Sequence, residues 1–149
     1  VHYANLLLEN NRHRDVIRLI ELVPEDLRNA EIKVLLAEAL IASHDIRAEQ
    51  LVQNLADDFE LAFLRTDAVP HKEFARYALH VVDKPEAALQ SARLNWNEQK
   101  EPSDALLLAK AAVAVSDHAA LRELHQWIRA RGTEDNQLQA IFAEQGLLL

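Results

Sequence analysis

The sequence predicts an all-α fold, and three features of the chain support this prediction. Apolar residues such as Leu36, Ala39 and Leu40 recur at steps of three and four, which is the spacing of one helix face. No segment sustains the alternation of apolar and polar residues that a half-buried strand requires. Only two Gly and four Pro occur among the 149 residues, too few for a turn-rich β-sandwich.

Short polar breaks divide the N-terminal half of the chain into helices, because Asn, Asp and Ser favour turns over helix interiors. Breaks this short force consecutive helices to pack antiparallel. The adjacent carboxylates of Asp57 and Asp58 are expected at a helix end. The stretch 57–69 is left open between a short helix around 59–64 and an extended connection. The helices predicted in this half lie at 2–10, 14–23, 28–43 and 46–57.

The C-terminal half shows the same organisation, with proline as a further marker. Pro85 and Pro102 stand where a helix can begin, since proline fits the first turn of a helix but not its interior. Polar breaks at 116–118 and 132–135 separate the remaining elements. The helices predicted here lie at 71–82, 85–99, 103–115, 118–131 and 135–145.

The net charge limits the partners that the chain can bind. Lys and Arg number 16 against 24 Asp and Glu, which gives a formal charge of −8. Affinity for polyanions comes mainly from neutralising phosphates with basic side chains, so we expect no nucleic-acid partner. No apolar run approaches the roughly 20 residues that cross a bilayer, so no membrane insertion is expected. Cys is absent, which excludes disulfides but leaves the compartment open between cytoplasm and periplasm.

Four helices share a pattern in which a small residue is followed eight positions later by a turn residue. Aligning 36–45, 74–83 and 108–117 places apolar residues in step, and the segment 3–8 joins the same frame. A small side chain lets two helices approach closely, and an Asp at the turn can cap the second helix. The anchors lie 33, 38 and 34 residues apart, which predicts a repeated helix pair. They are Ala4, Ala37, Ala75 and Ala109.

This pattern resembles the tetratricopeptide repeat, a helix–turn–helix unit that stacks into a right-handed superhelix. The first helices keep the family's small and apolar positions, whereas its frequent Gly is Ala here and its Trp and closing Pro are mostly missing. The segment 87–105 is also similar to helical-repeat segments of bacterial proteins, a likeness that implies no activity. The resemblance covers residues 1–149 as one domain, with helix pairs at about 1–27, 28–69, 70–101 and 102–133 and a capping helix at 134–146.

The resemblance implies a scaffold that binds another protein or peptide on the concave side of the superhelix, which the first helices line. Lys72, Arg76 and His80 are four apart and form a basic ridge on one helix face, suited to acidic side chains or a C-terminal carboxylate. Ordinary solvated charges explain these residues equally well. The set of Lys, Asn and Arg that grips chaperone tails is not reproduced, so chaperone binding is not predicted. The positions implied to contact a partner are Asn5, Glu9, Glu38, Lys72, Arg76, His80 and Lys110.

No pattern typical of a catalytic or metal site occurs, and we expect neither an enzyme nor a cofactor. His118 and His125 are seven residues apart, too far along a helix to share one metal ion. Ser, His and Asp at 43–45 are consecutive, so they cannot form a catalytic triad, whose geometry spans a fold. We expect a turn there, with Asp45 as the N-cap. Glycine-rich phosphate loops are absent.

Other functions stay open at this point. The helices could form a structural spacer or a dimerising arm, and self-association is compatible with the sequence. A small-ligand-binding or enzymatic domain with a pocket near 57–74 is the less favoured alternative. Trp96 and Trp127 are expected to pack in the core, and become interface anchors only if exposed. Val1 leads into a helical pattern without a capping residue, so we expect the sequence to be a segment of a longer protein.

Overall fold

The computed structural model describes residues 1–66 and 68–147, which form helices and turns without a strand. The prediction of an all-α fold is therefore confirmed, and each predicted helix is present among these residues. None of the described helices is long and apolar enough to cross a bilayer. A short 3-10 helix, Glu25–Leu27, follows the second α-helix. The α-helices are α1 (His2–Glu9), α2 (His13–Glu21), α3 (Ala30–Ala42), α4 (Ala48–Arg65), α5 (His71–His80), α6 (Pro85–Glu98), α7 (Pro102–Ala114), α8 (His118–Arg131) and α9 (Asn136–Glu144).

Residue contacts divide the chain into two compact units, Val1–Glu73 and Phe74–Leu149, so the boundary falls within α5. In the first unit, α2 packs against α1 and α3, and α3 packs against α4. Each helix contributes aliphatic residues at helical spacing and so buries one face. Full burial of one such side chain stabilises the fold by about 1.5–3 kcal/mol. The core of this unit comprises Ala4, Leu7, Val16, Ile17, Ile20, Leu35, Leu36, Ala39 and Leu40.

In the second unit, α7 is the central helix and packs against α6, α8 and α9. Alanine is frequent among its buried residues, and a side chain this small lets three neighbouring helices approach closely. The carboxylate of Asp104 accepts a hydrogen bond from the Glu101 backbone N–H at 3.0 Å, which is half of a capping box at the start of α7. Trp96 and Trp127 pack against this core with their ring centroids 4.8 Å apart. The expected packing of both Trp against the core is confirmed, although neither is fully buried.

Three of the four helices that carry an anchor Ala end in a turn whose left-handed residue stands at the same distance from the anchor. The φ angles are 56° at Asn11, 53° at His44 and 58° at Ser116, and each of these residues follows its anchor Ala by seven positions. At the last of these turns, the Asp117 N–H donates to the carbonyl of Ala112 at 2.8 Å, and equivalent bonds close the other two. This arrangement is a Schellman motif. The repeated sequence pattern therefore corresponds to a repeated turn.

The prediction that the turn Asp caps the second helix is confirmed at Asp117 and is wrong at Asp45 and Asp83. Asp117 accepts from the Ala120 N–H at 3.0 Å and caps α8. Asp45 instead accepts from the backbone N–H of Arg47, and α4 begins without a side-chain cap. Asp83 has a φ of 52°, and this left-handed geometry differs from the extended backbone of an N-cap residue. In this turn the left-handed residue follows the anchor Ala75 by eight positions instead of seven, which moves Asp83 out of the capping position.

The helix predicted to end at residue 57 instead continues to Arg65. Leu55 and Phe59 are both buried and lie four residues apart on one face of α4, so the packed face extends past the predicted end. No Gly or Pro occurs in this stretch to stop the helix. Most of the segment that the sequence left open is therefore helical, and residue 67 lies outside the described residues.

The adjacent carboxylates of Asp57 and Asp58 consequently lie within α4, so the expectation of a helix end there is wrong. Both side chains are exposed. Asp57 accepts a hydrogen bond from the Gln53 amide at 2.9 Å, and Asp58 accepts one from Lys33 Nζ of α3 at 3.0 Å. Asp58 therefore ties α4 to α3, whereas Asp57 is bonded to a residue of its own helix, and both contacts are structural.

Candidate partner-binding surfaces

The four first helices, α1, α3, α5 and α7, present the same local arrangement around the anchor. Each anchor Ala is at most 2 % exposed, so its helix is packed closely at that point. The polar residue that directly follows each anchor is half-buried and lies outside the core. The anchors and the residues that follow them are Ala4 with Asn5, Ala37 with Glu38, Ala75 with Arg76, and Ala109 with Lys110.

The other positions that the resemblance implies to contact a partner lie on α1 and α5, two of the helices that carry an anchor Ala. Glu9 is exposed at the end of α1. Lys72 and His80 stand on α5, each four residues from Arg76, so the three share one side of that helix. Lys72 belongs to the first unit, whereas Arg76 and His80 belong to the second. Their spacing along α5 is that of the basic ridge predicted from the sequence, and its contact with a partner stays a prediction.

A second surface lies in the first unit, beside the turn between α3 and α4. An open depression of about 530 Å³ is lined by Arg14, Ile17, Arg18 and Glu21 of α2 and by residues 43–47 of the turn. The depression lies away from the stretch 57–74, where the sequence suggested a pocket. The turn at 43–45 is present as predicted, with a left-handed residue at its centre.

Arg47 connects the two sides of this depression. Its guanidinium donates to both carboxylate oxygens of Asp45 at 2.8–2.9 Å and to Glu21 Oε1 at 2.6 Å. These bonds raise the pKa of Arg47. The hydrogen bond from the Arg47 side chain, followed by that from its backbone N–H, lowers the pKa of Asp45 to about 2. The turn is thereby joined to the end of α2 by a charge-assisted bridge.

Two further arginines line the depression, and the described carboxylates bind them less closely than they bind Arg47. Arg18 approaches Asp15 only at 3.7 Å, and its side chain is 77 % exposed. Arg14 is exposed and has no carboxylate within ion-pair distance in the described part of the chain. Two large aliphatic side chains flank the bridge, because Ile46 precedes Arg47 and Leu22 follows Glu21. Ile46 is 93 % exposed and Leu22 is 81 % exposed.

The histidines occupy different surroundings from one another. His118 is exposed at the start of α8, whereas His125 is buried with its ring 5.0 Å from that of Phe142. Its Nε2 atom finds no hydrogen-bond partner among the described residues. Over residues 1–66 and 68–147, no group of three or more His, Cys, Asp or Glu has an arrangement that could hold a metal ion. His125 is therefore a core residue of the second unit.

In comparisons with known proteins, no family model, curated protein or solved structure matches this chain. The resemblance to the tetratricopeptide repeat therefore depends on the residues of the chain itself. It stays a prediction, as do the partner contacts that it implies.

Sequence reasoning missed the surface beside the α3–α4 turn. Arg14 and Arg18 are four residues apart on α2, a spacing that places them on one side of the helix. Ile46 follows a turn Asp, where the repeat pattern predicts the polar start of a helix, so a large aliphatic residue there is unexpected. These two signals were available in the sequence, but only the structure shows that both line one depression.

Proposed function

We propose that this chain is a protein–protein interaction scaffold built from helix pairs, which binds a partner peptide or domain and acts without catalysis. The observation that carries the proposal is the arrangement repeated on the first helices, a buried Ala followed directly by a half-buried polar residue. Such a residue combines a partly desolvated environment with hydrogen-bonding groups, as residues at binding surfaces do. The recurrence on four helices favours a common role for these residues over four unrelated positions.

The proposal includes the finer arrangement that the resemblance implies. Helix pairs stack into a right-handed superhelix, and the first helices line its concave side. Lys72, Arg76, His80 and Lys110 make this side partly basic, and acidic side chains or a terminal carboxylate are the groups they suit. The supporting observation is that the first three lie along one side of α5.

Site-specific cross-linking tests this proposal. A photoreactive amino acid is placed at His80, which is exposed at the end of α5, and in a matched variant at Gln90, which is exposed on α6, the second helix of the same pair. Both chains are irradiated in an extract of the source organism, and the products are identified by mass spectrometry. We expect a partner attached at His80 and not at Gln90.

A charge-reversed variant controls for chance proximity. The substitutions Lys72→Glu, Arg76→Glu and Lys110→Glu are combined with the photoreactive group at His80, and circular dichroism confirms that the helix content is unchanged. Loss of the cross-link supports the basic surface. Equal cross-linking at both positions, or an unchanged product in the reversed variant, contradicts it. A product consisting only of two copies of this chain favours the dimerising arm instead.

A further inference from the structure

We propose that the surface beside the α3–α4 turn, made by Arg14, Arg18 and Ile46, docks an acidic polypeptide segment in which a large aliphatic residue stands beside carboxylates. We call it the turn surface. It is separate from the first-helix residues of the proposed function, and it shares with that proposal only the premise that the chain binds other proteins. Three observations support it: the available cations, the exposed aliphatic side chain and the fixed geometry of the turn.

The three arginines at the depression differ in how closely carboxylates of the chain bind them. Arg47 already donates to two carboxylates within 3 Å and so has little capacity for a third. Arg14 lacks an ion-pair partner among the described residues, and Arg18 has only the contact of 3.7 Å. The two lie one helical turn apart, a spacing that two carboxylates of one partner segment can match. A guanidinium binds a carboxylate through two parallel hydrogen bonds, which gives the contact direction as well as strength.

The surrounding charge makes this cationic site specific. The chain as a whole carries −8, so an acidic segment is repelled from most of the surface. Arg14 and Arg18 therefore form a positively charged part of the surface to which such a segment is attracted. Like-charge repulsion disfavours docking of such a segment away from the basic surfaces of the chain.

Ile46 supplies the apolar part of the contact. Its side chain is 93 % exposed, so almost all of its surface can be removed from water when a partner binds. The residue lies between Asp45 and Arg47, whose side chains are bonded to each other, and this bond restrains the backbone on both sides of it. Little ordering is then needed on association, which favours affinity. Leu22, which follows Glu21 in the chain, is a second exposed aliphatic residue next to the bridge.

Selection from a display library tests the docked chemistry without a known partner. A library of random twelve-residue peptides is selected on the immobilised chain, after depletion on the Arg14→Ser variant. We expect the recovered peptides to be enriched in Asp or Glu next to Leu, Ile or Phe. A recovered peptide is then synthesised, and its dissociation constant is measured by fluorescence anisotropy. Recovery of no peptides, or of peptides without this pairing, overturns the proposal.

Matched substitutions separate the turn surface from nonspecific attraction. Arg14→Ser and Ile46→Ser should each weaken peptide binding about tenfold, as loss of one charge-assisted contact or one buried aliphatic side chain implies. The controls are Arg122→Ser and Leu94→Ser, an exposed cation and an exposed aliphatic residue of the second unit, which should leave the dissociation constant unchanged. Thermal unfolding of every variant confirms that it is folded.

The outcomes also separate this inference from the proposed function. If the charge-reversed variant of the first helices loses the peptide while Arg14→Ser retains it, the first-helix surface is the docking site and the turn surface is not. Sedimentation velocity adds one further outcome. If the chain dimerises and Ile46→Ser abolishes the dimer, the occupant is a second copy, and the assignment to a separate acidic segment is wrong.

Discussion

Replacement of Ser116 by Gly should stabilise the chain, because this residue holds a left-handed backbone that its side chain disfavours. Its φ is 58°, and its own N–H and that of Asp117 close the turn at 3.0 and 2.8 Å, so the conformation is fixed by hydrogen bonds. For a residue with a side chain, this left-handed conformation is less stable than the right-handed one by about 1–2 kcal/mol. Glycine avoids that cost but loses about 0.5–1 kcal/mol through the greater freedom of the unfolded chain. The expected net gain is about 0.5–1 kcal/mol.

Urea denaturation followed by circular dichroism measures this gain, and in thermal denaturation the Tm should rise by about 1–4 °C. Ser116 is exposed, so its replacement removes no core contact. Ser116→Val is the opposing variant and should lose about 1 kcal/mol, because a β-branched side chain tolerates this geometry least. Ala140→Gly, at an exposed position within α9, controls for glycine itself and should cost about 1 kcal/mol. If Ser116→Gly and Ala140→Gly lower the free energy of unfolding by similar amounts, the left-handed backbone of Ser116 does not destabilise the native chain.

Three further predictions concern packing, capping and pH. In urea denaturation, Ala109→Leu should cost about 1–3 kcal/mol because the anchor is fully buried, whereas Ala114→Leu, on the exposed end of α7, should cost less than about 0.5 kcal/mol. Asp135→Ala should cost about 1 kcal/mol by removing the 2.9 Å bond that caps α9, and Asp135→Asn should retain most of that stability. The pKa of Asp45 lies near 2 instead of 3.8, so its bond to Arg47 stabilises the fold fully above pH 3.8 and is lost as the pH falls through 2. The difference in unfolding free energy between the native chain and Asp45→Asn should shrink across that range.

The helices could be predicted from the sequence because each has a regular apolar face and an identifiable stop. α7, for example, begins at Pro102 and ends shortly before the turn at Ser116, as its pattern indicated. The extension of α4 was missed because Asp57 and Asp58 suggested a helix end, although the apolar face continues to Phe59. Charged residues on the outer face of a helix do not stop it, and the periodicity of the buried face is the better guide.

The surface beside the α3–α4 turn could not be predicted, because its parts are distant in sequence. Arg14 and Ile46 are 32 positions apart and line one depression, where the Arg47 bridge joins the turn to Glu21 at the end of α2. Such a bridge depends on which rotamers the side chains adopt, and no spacing rule specifies that. The prediction that Asp83 caps α6 was wrong for a related reason. Its left-handed residue lies one position further from the anchor than in the other turns, a change in backbone geometry that leaves the apolar pattern undisturbed.

The longest interval between anchors has a structural counterpart in α4. Ala37 and Ala75 are 38 residues apart, four more than the 34 between Ala75 and Ala109. α4 has 18 residues, whereas α6, within the shorter interval, has 14, so the additional residues amount to about one helical turn. Because a turn contains 3.6 residues, four added residues leave the buried face of the helix in nearly the same direction. The added turn contributes Leu64, which is 74 % exposed, to the surface and not to the core. The interval between the anchors therefore grows by about one helical turn, while the buried face of α4 keeps nearly the same direction.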